Sequence, residues 1–287
     1  MGSVFYVKFW GVRGRIPRPG AAFSRVGGHT ACVEVGCGPE VLVFDCGSGA
    51  RALGAHLQKK RPVECRMFFS HFHLDHALGA PFFEPFRHKE NTIDIFGAPE
   101  GKEAVEALLR STVIGRNPKT SFEDLEARIV YRSLREGVTV SCGEAVVTHA
   151  QLNHPGGVSA YRVDFGGHSV VYATDTEHFS CTDGKLVTLA EQADVLIYDA
   201  MYTPEEYSGR VGGRPVTGLG HSTYEEGARV AREAGARHLV LFHHHPDRTD
   251  GQVEEMEKQC REIFAETTAA REKIGRASCR ERVCVGV

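Results

Sequence analysis

The stretch Met67-Phe-Phe-Ser-His71-Phe-His73-Leu-Asp75-His76 constrains this chain more than any other, because an apolar run passes directly into four metal-ligating side chains within six residues. On extended backbone alternate side chains share a face, so His71 and His73 can grip one ion, while Asp75 and His76, after a turn, can reach a second. Three imidazole or carboxylate ligands with an open position make a catalytic site, whereas a structural site closes with four. Further candidates stand where other apolar runs begin or end: Asn153-His154-Pro155-Gly156-Gly157, Tyr172-Ala-Thr-Asp175 and Leu241-Phe242-His243-His244-His245-Pro246. Each of these is a weak signal alone, since a strand-end Asp commonly serves as a turn former.

Short β-branched runs read as strands at Val4–Phe9, Val41–Phe44, Met67–Phe69, Thr92–Phe96, Ala145–Thr148, Ser159–Phe165, Ser169–Ala173, Val195–Tyr198 and Leu239–Phe242. Helical spacing predicts helices at Ala50–Lys60, Lys102–Val113, Ser222–Ala234 and Gln252–Phe264, the third opened by a Ser222-Thr-Tyr-Glu225 capping box. Strands first and then strands mixed with helices predict an α/β (α+β) domain with helices covering sheets. Neither a repeat nor a linker-like composition divides the chain, so residues 1–273 are expected to form one domain. The Gly- and Pro-rich segments Arg13–Gly28 and Ser208–Gly220 read as loops, the second bordering the substrate. Residues 274–287 lack apolar periodicity, resemble translated sequencing-adapter DNA and are expected to lie outside the fold.

With 41% hydrophobic and 25% charged residues, the composition excludes disordered, collagenous and coiled-coil chains. No stretch approaches the roughly 18–20 apolar residues of a membrane helix, and the N-terminus lacks a basic segment followed by an apolar one. A cytoplasmic protein without a membrane partner is therefore expected. The formal net charge is −3; residues 274–287 carry three Arg and one Glu, so the remainder carries −5, which argues against a mainly electrostatic nucleic-acid binder. Nine Cys without a Cys-x-x-Cys pair imply neither a disulfide framework nor a zinc knuckle, and read as small buried hydrophobes in a reducing compartment. No Walker loop, dinucleotide fingerprint or Gly-x-Ser-x-Gly elbow is present.

His71-x-His73-x-Asp75-His76 followed by His154, Asp175 and His243 resembles the motif series of the metallo-β-lactamase superfamily, and the resemblance covers nearly the whole chain. It implies a four-layer αββα sandwich with the site at one edge. Carried over residue by residue, it assigns His71, His73 and His154 to one metal and Asp75, His76 and His243 to a second, with Asp175 bridging them. His149 competes with His154 but follows from an apolar strand and reads as structural; His244 and His245 compete with His243. Asp45 in Phe44-Asp45-Cys46-Gly47 matches the fold's early Asp-x-Gly, whose carboxylate buttresses the metal-binding loop. Asp45 and the hydroxyls of Ser70 and Thr174 are the expected outer partners, since ligating imidazoles normally donate their free N–H to such groups. Gly220-His221-Ser222-Thr223 resembles the phosphodiesterase branch, which includes phosphoribosyl cyclic phosphodiesterases and tRNA 3′-processing endonucleases. Trp10-Gly11-Val12-Arg13-Gly14 and Asp199-Ala-Met-Tyr-Thr203 resemble an uncharacterised bacterial group within it.

The resemblance implies two divalent cofactor ions, zinc first, with manganese or iron as alternatives. Such a pair lowers the pKa of a shared water to about 7 and clamps the attacking and leaving oxygens, so hydrolysis of a small or cyclic phosphodiester by a metal-bridging hydroxide is expected. His221 is the expected general acid, oriented by Asp199, with Asp75 counted beside them for its place on the second metal. The alternatives are a tRNA 3′-endonuclease, a carbonyl-ester or lactone hydrolase, and a non-catalytic metal-binding sensor. Only 20 residues separate His154 from Asp175, too few for an RNA-gripping arm there. The expected partners are a small phosphodiester, RNA as the alternative, and a second copy of the chain in a homodimer. Arg13, Arg15 and Arg18 read as a solvated basic loop, with a grip on substrate phosphate as the second option.

Overall fold

The computed structural model describes residues 4–110, 125–272 and 284–286. Among the described residues fourteen strands fall into two seven-stranded sheets. The first is built from β1 (Phe5–Gly11), β2 (Cys32–Cys37), β3 (Glu40–Phe44), β4 (Glu64–Phe68), β5 (Thr92–Gly97) and β6 (Arg128–Ser133). The second holds β7 (Thr139–Cys142), β8 (Ala145–Leu152), β9 (Val158–Phe165), β10 (His168–Ala173), β11 (Val195–Asp199), β12 (Leu239–Phe242) and β13 (Thr267–Ala269). In each sheet an antiparallel half joins a parallel half: β3 to β6 run parallel, as do β10 to β13. Cys284–Gly286, β14, lies parallel to β1 at the first sheet's outer edge. That differs from the expectation that everything beyond residue 273 stays outside the fold; an uncovered edge strand is a template for such pairing.

Two apolar layers result. One lies between the sheets, where Phe44, Phe68 and Phe96 stack across β3, β4 and β5 with ring centroids 5.4 and 4.7 Å apart, against Tyr161 and Tyr172 of the second sheet. Burying each such aromatic contributes about 1.5–3 kcal/mol. The period-2 alternation of β4 then sends Met67 to the opposite face, where α1 (Ala50–Leu57) and α3 (Gly101–Arg110) cover the first sheet. The short helix α2 (Leu74–Ala77) follows β4, and α4 (Gly184–Leu189), α6 (Tyr224–Ala234) and α7 (Asp250–Ile263) cover the second sheet, with the one-turn α5 (Pro204–Tyr207) between them in sequence. The layers are helix, sheet, sheet, helix. Among the described residues no helix is long and apolar enough to cross a membrane.

Several boundaries differ from the sequence reading for local reasons. The cap of α6 is Thr223, whose hydroxyl accepts from the Glu226 N–H, and not Ser222. The Ser222 hydroxyl is instead engaged with Tyr198 and His178, both at 2.8 Å. The expected continuation of α3 to Val113 lies outside the described residues. Cys32, Cys37, Cys46, Cys65, Cys142 and Cys260 are buried free thiols, and Cys181 is an exposed one.

Candidate metal centre

The parallel halves point the ends of β3, β4, β10, β11 and β12 at one edge, and the antiparallel pairing of β8, β9 and β10 brings the end of β8 there too. Asp45, Asp175 and His243 leave their strands in left-handed backbone conformation, with φ of 60°, 51° and 57°. Such conformations cost about 1–3 kcal/mol each and persist only where the surroundings impose them. After β4 the chain stays extended through His73 and then winds into α2, so His71 and His73 sit on one side while Asp75 and His76 turn toward the other.

Donor atoms gather in overlapping groups, each within 4.8 Å: His71, His73 and His154; Asp75, His76 and His243; and His71, His76 and Asp175. His154 Nε2 lies 3.1 Å from His73 Nδ1, and His76 Nε2 lies 3.2 Å from His243 Nε2. Asp175 stands between the two clusters with its carboxylate divided. Its Oδ1 is 3.2 Å from both His76 Nε2 and His243 Nε2, and its Oδ2 is 3.7 Å from His71 Nε2. All seven sequence-expected ligands are therefore brought together. His149 is buried in β8 against Tyr161, outside every donor group among the described residues. His244 is buried with its ring N–H on the Ala270 carbonyl, and His245 accepts from the Asp247 N–H.

In His71, His76 and His154 the ring nitrogen turned away from this centre has a partner that fixes the tautomer. His76 Nδ1–H donates to Asp45 Oδ2 at 2.8 Å, and His154 Nδ1–H donates to the Gly220 carbonyl at 2.8 Å. The Ser70 hydroxyl donates to Asp45 Oδ2 and accepts from His71 Nδ1–H at 3.1 Å. Asp45 is also bonded by the Ser70 N–H and by the Tyr172 hydroxyl, at 2.7 Å each, so an inter-sheet aromatic ties the core to the site. Thr174 touches the carboxylate of Asp175 at 2.6 Å rather than an imidazole. The inward Nε2 of His71 is buried without a hydrogen-bond partner, which is a ligand atom waiting for an acceptor of its lone pair.

The electrostatics agree. Burial, with His76 beside it, pushes His71 well below the ordinary imidazole range, and burial lowers His154, so both stand neutral with free lone pairs. Burial opposes the charged form of His76 and His243 as well, yet Asp175 and the neighbouring carboxylates outweigh it, raising His243 to about 10. Burial likewise opposes the Asp175 carboxylate, and His243 and His76 hold it well below the usual range. His71 and His154 offer neutral nitrogens, and the carboxylates that favour a proton on His76 and His243 would equally favour a cation in its place; imidazoles facing anionic oxygens are the donor set of a borderline divalent cation, and the residues fit one.

Asp199, His221 and His243 form a further donor group with Asp175. Asp199, however, is saturated: Oδ2 accepts from the Asp175 N–H at 3.0 Å and from His221 Nδ1–H at 2.9 Å, and Oδ1 accepts from the N–H groups of Met201 and Ser222. It orients its neighbours. His221 Nε2 has no hydrogen-bond partner among the described residues, and its ring lies 5.6 Å from that of His154.

Sequence reasoning missed Glu177. Its buried carboxylate accepts from the N–H groups of Gly218 and Gly220 and from the Tyr207 hydroxyl, at 2.6, 2.8 and 2.8 Å, pinning the 208–220 loop over the site. Gly220 has a φ of 83°, and a Cβ there would stand 2.2 Å from His154 Nδ1. The signal was a second acid just past Asp175, together with a Gly-rich loop whose bare N–H groups need an acceptor. Of the three N-terminal arginines, Arg13 is fully buried and donates to the carbonyls of Gly27 and Arg248, and Arg18 pairs with Asp247 on the surface. Arg15 stands at the rim of the donor cluster.

A family model described as the Beta-lactamase superfamily domain matches residues 41–244. Ribonuclease Z of Lactococcus lactis subsp. cremoris (strain MG1363) is 25% identical over 285 residues, covering 82% of this chain and 90% of its own length. The metallo-beta-lactamase fold protein YhfI from Bacillus subtilis has a TM-score of 0.66 at 20% identity, covering 93% of this chain and 96% of its own. The short form of human tRNase Z has a TM-score of 0.63 at 20% identity, with the same coverage. These two structures bear on the fold; the family match extends from β3 to the end of β12 and takes in all seven donors. The chain belongs to the beta-lactamase superfamily, whose fold implies divalent-metal binding and hydrolase chemistry.

Proposed function

We infer that the chain is a dinuclear metal-dependent phosphodiesterase acting on a small or cyclic phosphodiester. The observation that carries this reading is the divided Asp175 carboxylate between two donor clusters, with the His221–Asp199 pair beside it, Asp175 Oδ2 being 3.8 Å from His221 Nδ1. His71, His73 and His154 would hold one ion and Asp75, His76 and His243 the other, with Asp175 serving both. Zinc is the first expectation, then manganese or iron. When bound, such a pair supplies Lewis-acid polarisation of a phosphoryl oxygen and a water acidified to a pKa of about 7. Asp199 accepts from His221 Nδ1–H and fixes the ring, which leaves Nε2 as the nitrogen that would hand a proton to a departing alkoxide. The N-terminus of α6 next to it favours an anionic substrate.

The cleft beside His71 and His73, lined by Phe72, Glu100, Gln151 and Gly156, has a volume of about 230 Å³. A tRNA 3′-processing reading is favoured by the Ribonuclease Z relative. Against it, β9 and β10 join through Gly166 and Gly167 alone, leaving no arm between the His154 and Asp175 motifs. Metal-loaded protein is expected to hydrolyse bis-p-nitrophenyl phosphate and at least one cyclic nucleotide, cyclic ribose phosphate or dinucleotide, and to leave a tRNA with a 3′ trailer uncut at equal enzyme concentration. Trailer removal faster than any small-diester turnover would establish the second reading, and inertness toward every phosphodiester would sink both.

A further inference from the structure

We propose that Arg15 positions the substrate by pairing with the non-bridging phosphoryl oxygens on the Asp75 side of the site. The assignment rests on the phosphodiesterase reading and deepens it. The Arg15 main-chain N–H donates to Asp75 Oδ2 at 2.5 Å, which places this residue against the second donor cluster. One guanidinium nitrogen, Nη2, donates to the Tyr202 hydroxyl at 2.7 Å, and the Tyr202 ring lies 6.1 Å from the rings of both His221 and His245. The guanidinium is thereby held at the mouth of the centre. Unlike Arg13 and Arg18, it has no carboxylate partner among the described residues, and the residue is exposed.

The backbone supplies a second, independent observation. Arg15 adopts a φ of 65°, a conformation that glycine takes freely and a side-chain-bearing residue does not. Gly14 precedes it directly, so the local turn did not lack the option of glycine. A strained, unpaired cation beside the reacting centre is the pattern of a residue retained for its side chain. Guanidinium presents a planar fork to two phosphate oxygens, which a neutral ester or lactone cannot reciprocate. Arg15 is therefore a specificity element for phosphoryl over carbonyl substrates.

The test uses manganese-loaded full-length protein, with inorganic phosphate as the calorimetric probe. Arg15→Gln is expected to weaken phosphate binding about 10- to 100-fold and to raise KM for bis-p-nitrophenyl phosphate by a similar factor, with kcat changed less than about threefold. Arg15→Lys should recover part of the loss. Arg15→Gly, free of strain, should melt no lower than wild type and bind phosphate as poorly as Arg15→Gln. Phosphate affinity in Arg15→Gln within about twofold of wild type would overturn the assignment, as would unfolding of Arg15→Gly, which would make the residue structural. Weakened phosphate binding in a protein that hydrolyses no diester would uphold Arg15 while removing the phosphodiesterase reading.

Discussion

Asp175→Asn should lower kcat/KM for a phosphodiester by about 10³-fold or more, the scale seen when one member of a cooperating catalytic set is removed, and should take metal from both donor clusters. Asn is the informative replacement because it keeps the shape of Asp and tolerates the left-handed φ of 51° at this position. The fold and the main-chain bond from the residue 175 N–H to Asp199 should survive. What disappears is the charge whose two oxygens face His71 on one side and His76 and His243 on the other. Those rings would then face one another without the anion that offsets bound cations, and both ions should weaken together. Steady-state kinetics with metal content by mass spectrometry reads this directly. A variant that keeps full metal and more than a tenth of wild-type activity would show that Asp175 is not shared.

His221→Ala should behave differently, lowering kcat by about 10²- to 10⁴-fold, the range for a lost general acid, while metal content stays at the wild-type level. The ring is nearly buried, bonded to Asp199 at 2.9 Å and positioned by the segment that leads into α6. Asp199→Asn should cause a loss of the same kind, because it removes the carboxylate that accepts from His221 Nδ1–H and so no longer holds the ring for donation from Nε2. The deficit should depend on the leaving group: small for p-nitrophenolate, which departs with little help, and large for an alkoxide such as a ribose oxygen. An equal deficit for both leaving groups would argue against proton donation by His221. Loss of metal in His221→Ala would move that residue into the ligand set.

The seven candidate donors were legible as a group because they stand at or just past the ends of apolar runs, and a buried strand that ends in His or Asp has few other uses for those side chains. Of the two outer hydroxyls read from sequence, Ser70 bonds the imidazole of His71 and Thr174 bonds the carboxylate of Asp175. Strands whose burial depends on distant partners were hidden. β2 carries Glu34 at a buried position, tolerable only because Tyr6 and Trp10 donate to it at 2.5 and 2.8 Å. β6 and β7 are polar edge strands, and β13 is three residues long, so none shows a usable period. Glu177 was missed because its partners lie some forty residues away in a loop that carries no pattern. Arg15 could not be told from Arg13 and Arg18 until the turn that separates a buried tie, a surface pair and a rim cation was in view.

The most direct test of the central claim, a pair of ions sharing Asp175, is anomalous diffraction from crystals of the protein loaded with zinc or manganese. Two peaks per chain are expected, one ligated by His71, His73 and His154 and one by Asp75, His76 and His243, with Asp175 ligating both. A single peak at full loading, or an ion held by Asp199 and His221 in place of either cluster, would contradict it.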